Sequence, residues 1–162
     1  MPSPQGYSRL QIALHWIAVL LIAQQYLLKD AIAAAWKAVQ EGTEAAFDPL
    51  VLAHVAGGAA ILLLALWRLS IRARRGAPAA AGGSAAQRGL AAATHLGLYA
   101  LMILMPVSGA LAWFGGVELA ASGHAILKLA LLALAALHVA GALYHHFVLR
   151  DGLINRMRRA EG

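Results

Sequence analysis

The sequence has no cysteine. That excludes disulfides, thiolate metal sites, iron–sulfur clusters and thioether-linked haem. Charge is also scarce. Only 12% of residues are charged, about half the share of an ordinary soluble domain. Hydrophobic residues make up 61%, and the mean hydropathy is +0.69. So little polar surface cannot cover a water-soluble fold, and so apolar a chain does not stay disordered. Both exclusions point to a membrane protein. The 162 residues allow about four helical crossings of roughly 20 residues each. They leave no room for a separate soluble domain.

Four uncharged runs supply those crossings: Leu10–Leu28, Leu50–Trp67, Gly89–Val117 and Leu129–Leu149. The last extends back to Leu119 if Lys128 is tolerated. Each is long enough to cross ~30 Å of hydrocarbon as a helix. Without water to satisfy the backbone, helices are the spanning structure expected. The predicted fold is therefore an all-α integral membrane bundle of four transmembrane helices. It forms one domain over residues 1–162, with spans near 10–28, 50–70, 89–113 and 123–149. The first run is too long for a signal-peptide core and carries His15, Gln24 and Gln25, so it is read as retained.

The basic residues orient the bundle. Ten of the thirteen fall on the side of both termini and the loop joining spans two and three. By the positive-inside rule both termini are expected in the cytoplasm. Ten basic against two acidic residues give this side +8, and three against five give the other −2. The net charge of +6 thus reads as topology and attraction to an anionic lipid bilayer, with no nucleic-acid partner. Ile32, Trp36 and Val39 recur at helical spacing in the outer loop 29–49 and predict a short amphipathic helix on the outer surface. The stretch 76–87 is low in complexity and reads as a flexible linker.

All seven histidines lie within or at the ends of the apolar runs, the reverse of what solvation alone would give. Ionisable groups in a bilayer are costly, so each is a functional candidate. His124 and His138 are fourteen residues apart. On a helix that returns the second to within about 40° of the first, ~21 Å along the axis. His54 shares the outer level with His124, and His15 shares the inner level with His138. Two levels, each with two imidazoles from different helices, suit two non-covalent haems b with histidine pairs on iron. One zinc ion would want its ligands in one small site. His95 and His145 fall near the inner level. They are candidates for holding or protonating a quinone headgroup, for bonding a haem propionate, or for an interfacial place against water or lipid. Arg9 stands at the same level, with a propionate or a lipid phosphate as its candidate partner. His146 points away and has no assigned role. Gly57, Gly58, Ala135 and Ala142 leave room beside the histidines, or simply let helices approach. Pro106 predicts a kink near Met102. Met102 and Met105 read as packing, and Trp16, Trp67 and Trp113 as interfacial anchors.

Four segments carry a resemblance: Tyr7–Trp16 (YSRLQIALHW), His54–Arg72 (HVAGGAAILLLALWRLSIR), His95–Gly109 (HLGLYALMILMPVSG) and His138–Gly152 (HVAGALYHHFVLRDG). In order and in flanking residues they resemble the bacterial cytochrome b561 family over nearly the whole chain. The resemblance is greatest to the small four-helix members that include superoxide oxidase. It implies a di-haem b electron-transfer protein of the bacterial inner membrane, with His15 and His138 on the cytoplasmic-side haem iron and His54 and His124 on the periplasmic-side haem iron. It further implies an oxidoreductase passing electrons from periplasmic superoxide to ubiquinone, with His95 and His145 near the quinone. Lys128, one turn after His124, is the candidate for steering superoxide, because the outer side is otherwise net negative. A second reading is a cytochrome b subunit relaying electrons between the quinone pool and another periplasmic redox partner. A third is a histidine-lined transporter or metal channel, which would be expected to carry acidic residues within the spans, where this sequence has none.

Overall fold

The structure is a computed structural model, and it describes residues 6–43, 46–78 and 83–160. Those residues form five α-helices and no strand. Helix α1 spans Arg9–Leu27, α2 Lys29–Gln40, α3 Pro49–Arg75, α4 Ala85–Gly115 and α5 Glu118–Tyr144. A π-helical turn, His145–Leu149, and a 3₁₀ turn, Leu153–Met157, complete the chain.

Local chemistry sets the helix ends. Ser8 and Gln11 form a capping box at α1: the Gln11 N–H donates to Ser8 Oγ at 3.2 Å, and the Ser8 N–H donates to Gln11 Oε1 at 3.0 Å. Ser84 and Gln87 repeat the device at α4. Asp48 accepts the Leu50 N–H at 2.7 Å ahead of Pro49, the first residue of α3. Such caps satisfy backbone donors that a helix start leaves over. Gly116 ends α4 in the left-handed region at φ 65°, which glycine adopts without steric cost. The chain then turns directly into α5.

Four stretches are long and apolar enough to cross a membrane: Arg9–Leu27, Pro49–Arg75, Ala85–Gly115 and Glu118–Leu149. The fourth takes in Lys128, and the third begins four residues earlier than the hydropathy alone placed it. Residues 85–87 of the low-complexity linker are therefore helical, while 79–82 lie outside the described residues. Arg72, Arg74 and Arg75 fall in the last turn of α3, where cations complement the helix dipole. Arg9 and Arg88 share that basic end of the bundle with them.

The packed core is small and sits between the two ends. Leu14 and Ala18 of α1 meet Ile61, Leu64 and Ala65 of α3 and Met102 of α4. Ala65 has no exposed surface at all. Helix α5 packs mainly along α4. Gly97 permits that approach, since a Cβ there would stand 2.6 Å from Leu134 Cδ1. Toward α1, α5 is joined through side chains: the Tyr26 hydroxyl donates to the Lys128 carbonyl at 2.6 Å. Beyond α5, Trp16 Nε1–H donates to the Met157 carbonyl at 3.0 Å. Much of α5, including Leu119, Ile126 and Leu129, is exposed, as a lipid-facing helix should be.

Ala65→Leu should therefore overpack the α1/α3/α4 contact. Overpacking typically costs about 1–3 kcal/mol. The expected outcome is a lower unfolding midpoint in detergent, while Leu63→Ala, at an exposed position, should leave it nearly unchanged.

Candidate functional site

A cavity of about 420 Å³ opens at the end opposite the arginines. His54 of α3, His124 of α5, Gln25 of α1 and Trp36 of α2 line it, with Gly109 and Lys128. Ile32 and Ala33 also face it, so the apolar side of α2 covers this cavity.

His124 is held in one orientation. Its Nδ1 stands 3.0 Å from the Met105 carbonyl and 3.1 Å from Ser108 Oγ. A carbonyl only accepts, so Nδ1 carries the proton and Nε2 keeps a free lone pair. Gly109 makes the fit possible: a Cβ there would lie 3.2 and 3.3 Å from His124 Cε1 and Nδ1. Across the cavity, His54 Nδ1 and Gln25 Nε2 are buried with no hydrogen-bond partner. Buried polar atoms are nearly always partnered. Two orphans on the wall of one cavity mark a place suited to a bound group. Gly57 brings α3 against α1 here, since its Cβ would fall 2.3 Å from Gln25 Nε2.

A second histidine cluster lies toward the basic end. The ring centres of His15 and His138 are 6.2 Å apart, and those of His95 and His138 are 5.0 Å apart. Three imidazoles thus converge at this level from α1, α4 and α5. His95 Nδ1 lies 2.6 Å from the Ala91 carbonyl one turn earlier, which again assigns its proton. Arg68 reaches the same cluster, with Nη2 3.4 Å from His15 Nδ1 and its guanidinium 5.7 Å from the Tyr99 ring centre.

The family model for prokaryotic cytochrome b561 matches residues 6–160. The chain is also 37% identical over 159 residues to a cytochrome b562 of Cereibacter sphaeroides, covering 98% of this chain and 99% of that protein. The chain belongs to the prokaryotic cytochrome b561 family. It is a membrane electron-transfer haem protein, and haem b is the cofactor that membership implies. The transporter reading falls with that. The donor set suits the cofactor: imidazoles converge from different helices, no thiolate competes, and one cavity carries orphaned polar atoms.

Within this b561-type bundle the expected site residues divide. His54, His124 and Lys128 share the cavity. His15, His95 and His138 form the second cluster. His145 turns away from it to Asp151, at 2.5 Å. Arg9 is exposed at the first residue of α1. His146 stacks edge-on against Phe147 at 4.7 Å. Trp113 lines the cavity rather than only a boundary.

Arg68 has a spacing signal in the sequence. It follows His54 by fourteen residues, the same interval that aligns His124 with His138. Gln25, Ser108, Gly109 and Asp151 carry no spacing signal of comparable strength, because their importance lies in contacts between helices or across a chain reversal.

Gly109→Ile should push the His124 ring aside. Haem b per chain, measured as the pyridine haemochrome, should fall, whereas Gly89→Ala, where a Cβ meets open space, should retain it.

Proposed function

We propose that this cytochrome is a di-haem protein of the bacterial inner membrane that oxidises superoxide at its outer end and reduces ubiquinone at its cytoplasmic, basic end. In this reading His54 and His124 would hold the outer haem, and His15 and His138 the inner one. The observation that carries it is the pairing of these histidines at two levels, one on each side of the core that includes Leu14, Ala18, Leu64 and Ala65. Haem b supplies one-electron oxidation and reduction without making or breaking substrate bonds. The balance is two superoxide anions to two dioxygen molecules, with ubiquinone taking up two electrons and two protons.

The protein's own groups supply orientation and field. Met105 and Ser108 fix the His124 ring. Leu14, Ala18, Leu64 and Ala65 exclude water between the levels. Lys128 supports an anionic donor, because it lines the outer cavity itself. The outer acids Asp30 and Glu41 lie within 2.6 Å of Lys29 and 3.7 Å of Lys37, whereas no ion pair involves Lys128 among the described residues. A positive charge at a cleft raises the capture rate of an anion. The acidic surplus of the outer loops, five acids against three bases, favours a second reading, in which a basic carrier protein exchanges electrons there with the quinone pool.

Haem stoichiometry and stopped-flow kinetics on one sample test the proposal. His138→Ala and His124→Ala should each lower the haem content from two to one per chain; retention of two haems in both would refute the pairing. Superoxide should reduce the haems faster than it dismutates. Lys128→Glu should slow that reduction about tenfold at low ionic strength, with the gap closing as salt screens the charge. If only a basic redox carrier, and not superoxide, reduces the wild-type haems, the second reading holds.

A further inference from the structure

After α5 the chain departs from regular geometry three times in eight residues. His145–Leu149 form a π-helical turn. Arg150 then adopts φ 51°, the one positive φ among the described non-glycine residues. Gly152 follows at φ 73°. Single π turns and left-handed non-glycine residues are both unfavourable, and both concentrate at functional sites. Their joint effect here is to fold Asp151 back onto His145.

The contact they create is close and largely covered. Asp151 Oδ2 lies 2.5 Å from His145 Nδ1, and the two side chains are 16% and 17% exposed. Asp151 Oδ1 accepts the Leu153 N–H at 3.1 Å, so both carboxylate oxygens are fixed. Burial works to raise the Asp151 pKa, but the hydrogen bonds from His145 and Leu153 and the charges of His145 and Arg156 hold it below the usual carboxylate value. The carboxylate is therefore ionised and can only accept. His145 Nδ1 must carry a proton, and Nε2 is left as the working nitrogen. The other charged or titratable groups of this segment are Tyr144, whose ring is 6.3 Å from that of His145, His146, Arg150 and Arg156. A C-terminal cap alone would need no imidazole.

We propose that His145 and Asp151 form a proton-delivering dyad for the quinone at the basic end. This rests on the reading of ubiquinone as acceptor there. The protonated imidazole gives its Nε2 proton to a quinone oxygen and keeps its Nδ1 proton, which it donates in the hydrogen bond to Asp151. It is reprotonated from water at the basic end before the second transfer. Two electrons from the reduced protein and two protons through Nε2 convert the quinone to quinol. His145 is the group that touches substrate, and Asp151 is its positioning residue.

The test uses the full-length holoprotein in detergent, reduced beforehand with dithionite, freed of excess reductant and mixed with ubiquinone-1. Haem absorbance reports reoxidation. His145→Gln should slow the maximal rate roughly 100-fold, in the range that general acid catalysis contributes. Asp151→Asn should slow it about tenfold. Asp151→Glu should restore most of the loss. Haem content, the reduced spectrum and the quinone concentration at half-maximal rate should stay near wild type. The wild-type rate should fall in deuterium oxide, and that isotope effect should be lost in His145→Gln. Wild-type rates in both His145→Gln and Asp151→Asn would overturn the dyad and leave the acceptor reading intact. Loss of haem in Asp151→Asn and Asp151→Glu alike would overturn it in favour of a structural role. A wild-type protein that ubiquinone-1 cannot reoxidise would overturn the acceptor reading and the dyad together.

Discussion

The structure depends on one constraint: an imidazole within hydrocarbon needs a partner for each ring nitrogen. Seven histidines in a chain of four apolar spans are costly unless the fold gathers them. The bundle gathers five of them at two levels. His124 satisfies Nδ1 on the Met105 carbonyl and Ser108. His95 satisfies its own on Ala91. His54 keeps an orphaned Nδ1. Each internal partner on Nδ1 leaves an Nε2 lone pair free to accept, and haem b is the cofactor that membership of the b561 family implies.

The same constraint explains why the packed core is so small. The described residues bury few large side chains, and they lie mostly between α1, α3 and α4. Helix α5 and the turn directly after it carry four of the seven histidines, His124, His138, His145 and His146, and α5 contributes only Leu131 to the buried set. It is held to α4 by close packing and to α1 through Tyr26 and the ring contact of His15 with His138. Tight packing on all sides would close the space that the cofactor implied by the family needs. Glycines at 57, 97 and 109 leave room for the Gln25, Leu134 and His124 side chains of the neighbouring helices.

Charge divides the work between the ends. Arginines crowd one end, with Arg72, Arg74 and Arg75 in the last turn of α3. One of them, Arg68, leaves the surface and reaches His15 and Tyr99. At the other end Lys128 stands on the cavity wall. Counting charges by side assigns both ends a sign. It does not separate a lysine facing a cavity from one paired on the surface, as Lys29 is with Asp30.

The four spans were written in the sequence itself, because hydrocarbon thickness and the need to satisfy the backbone leave a chain this apolar few alternatives. The two histidine levels followed from helical periodicity, which acts along one helix and survives any packing. The amphipathic spacing of 29–49 predicted helix α2, but only the tertiary structure laid its apolar side over the cavity. His145 shows the same limit. Periodicity carried it onto the His138 face, yet the turn through Arg150 and Gly152 gave its ring to Asp151. The roles of Gln25 and Gly109 cannot be read along the chain, because they arise from how closely two helices approach. Periodicity is a property of one helix and can be read along the chain, whereas close approach is a property of two and exists only after they pack.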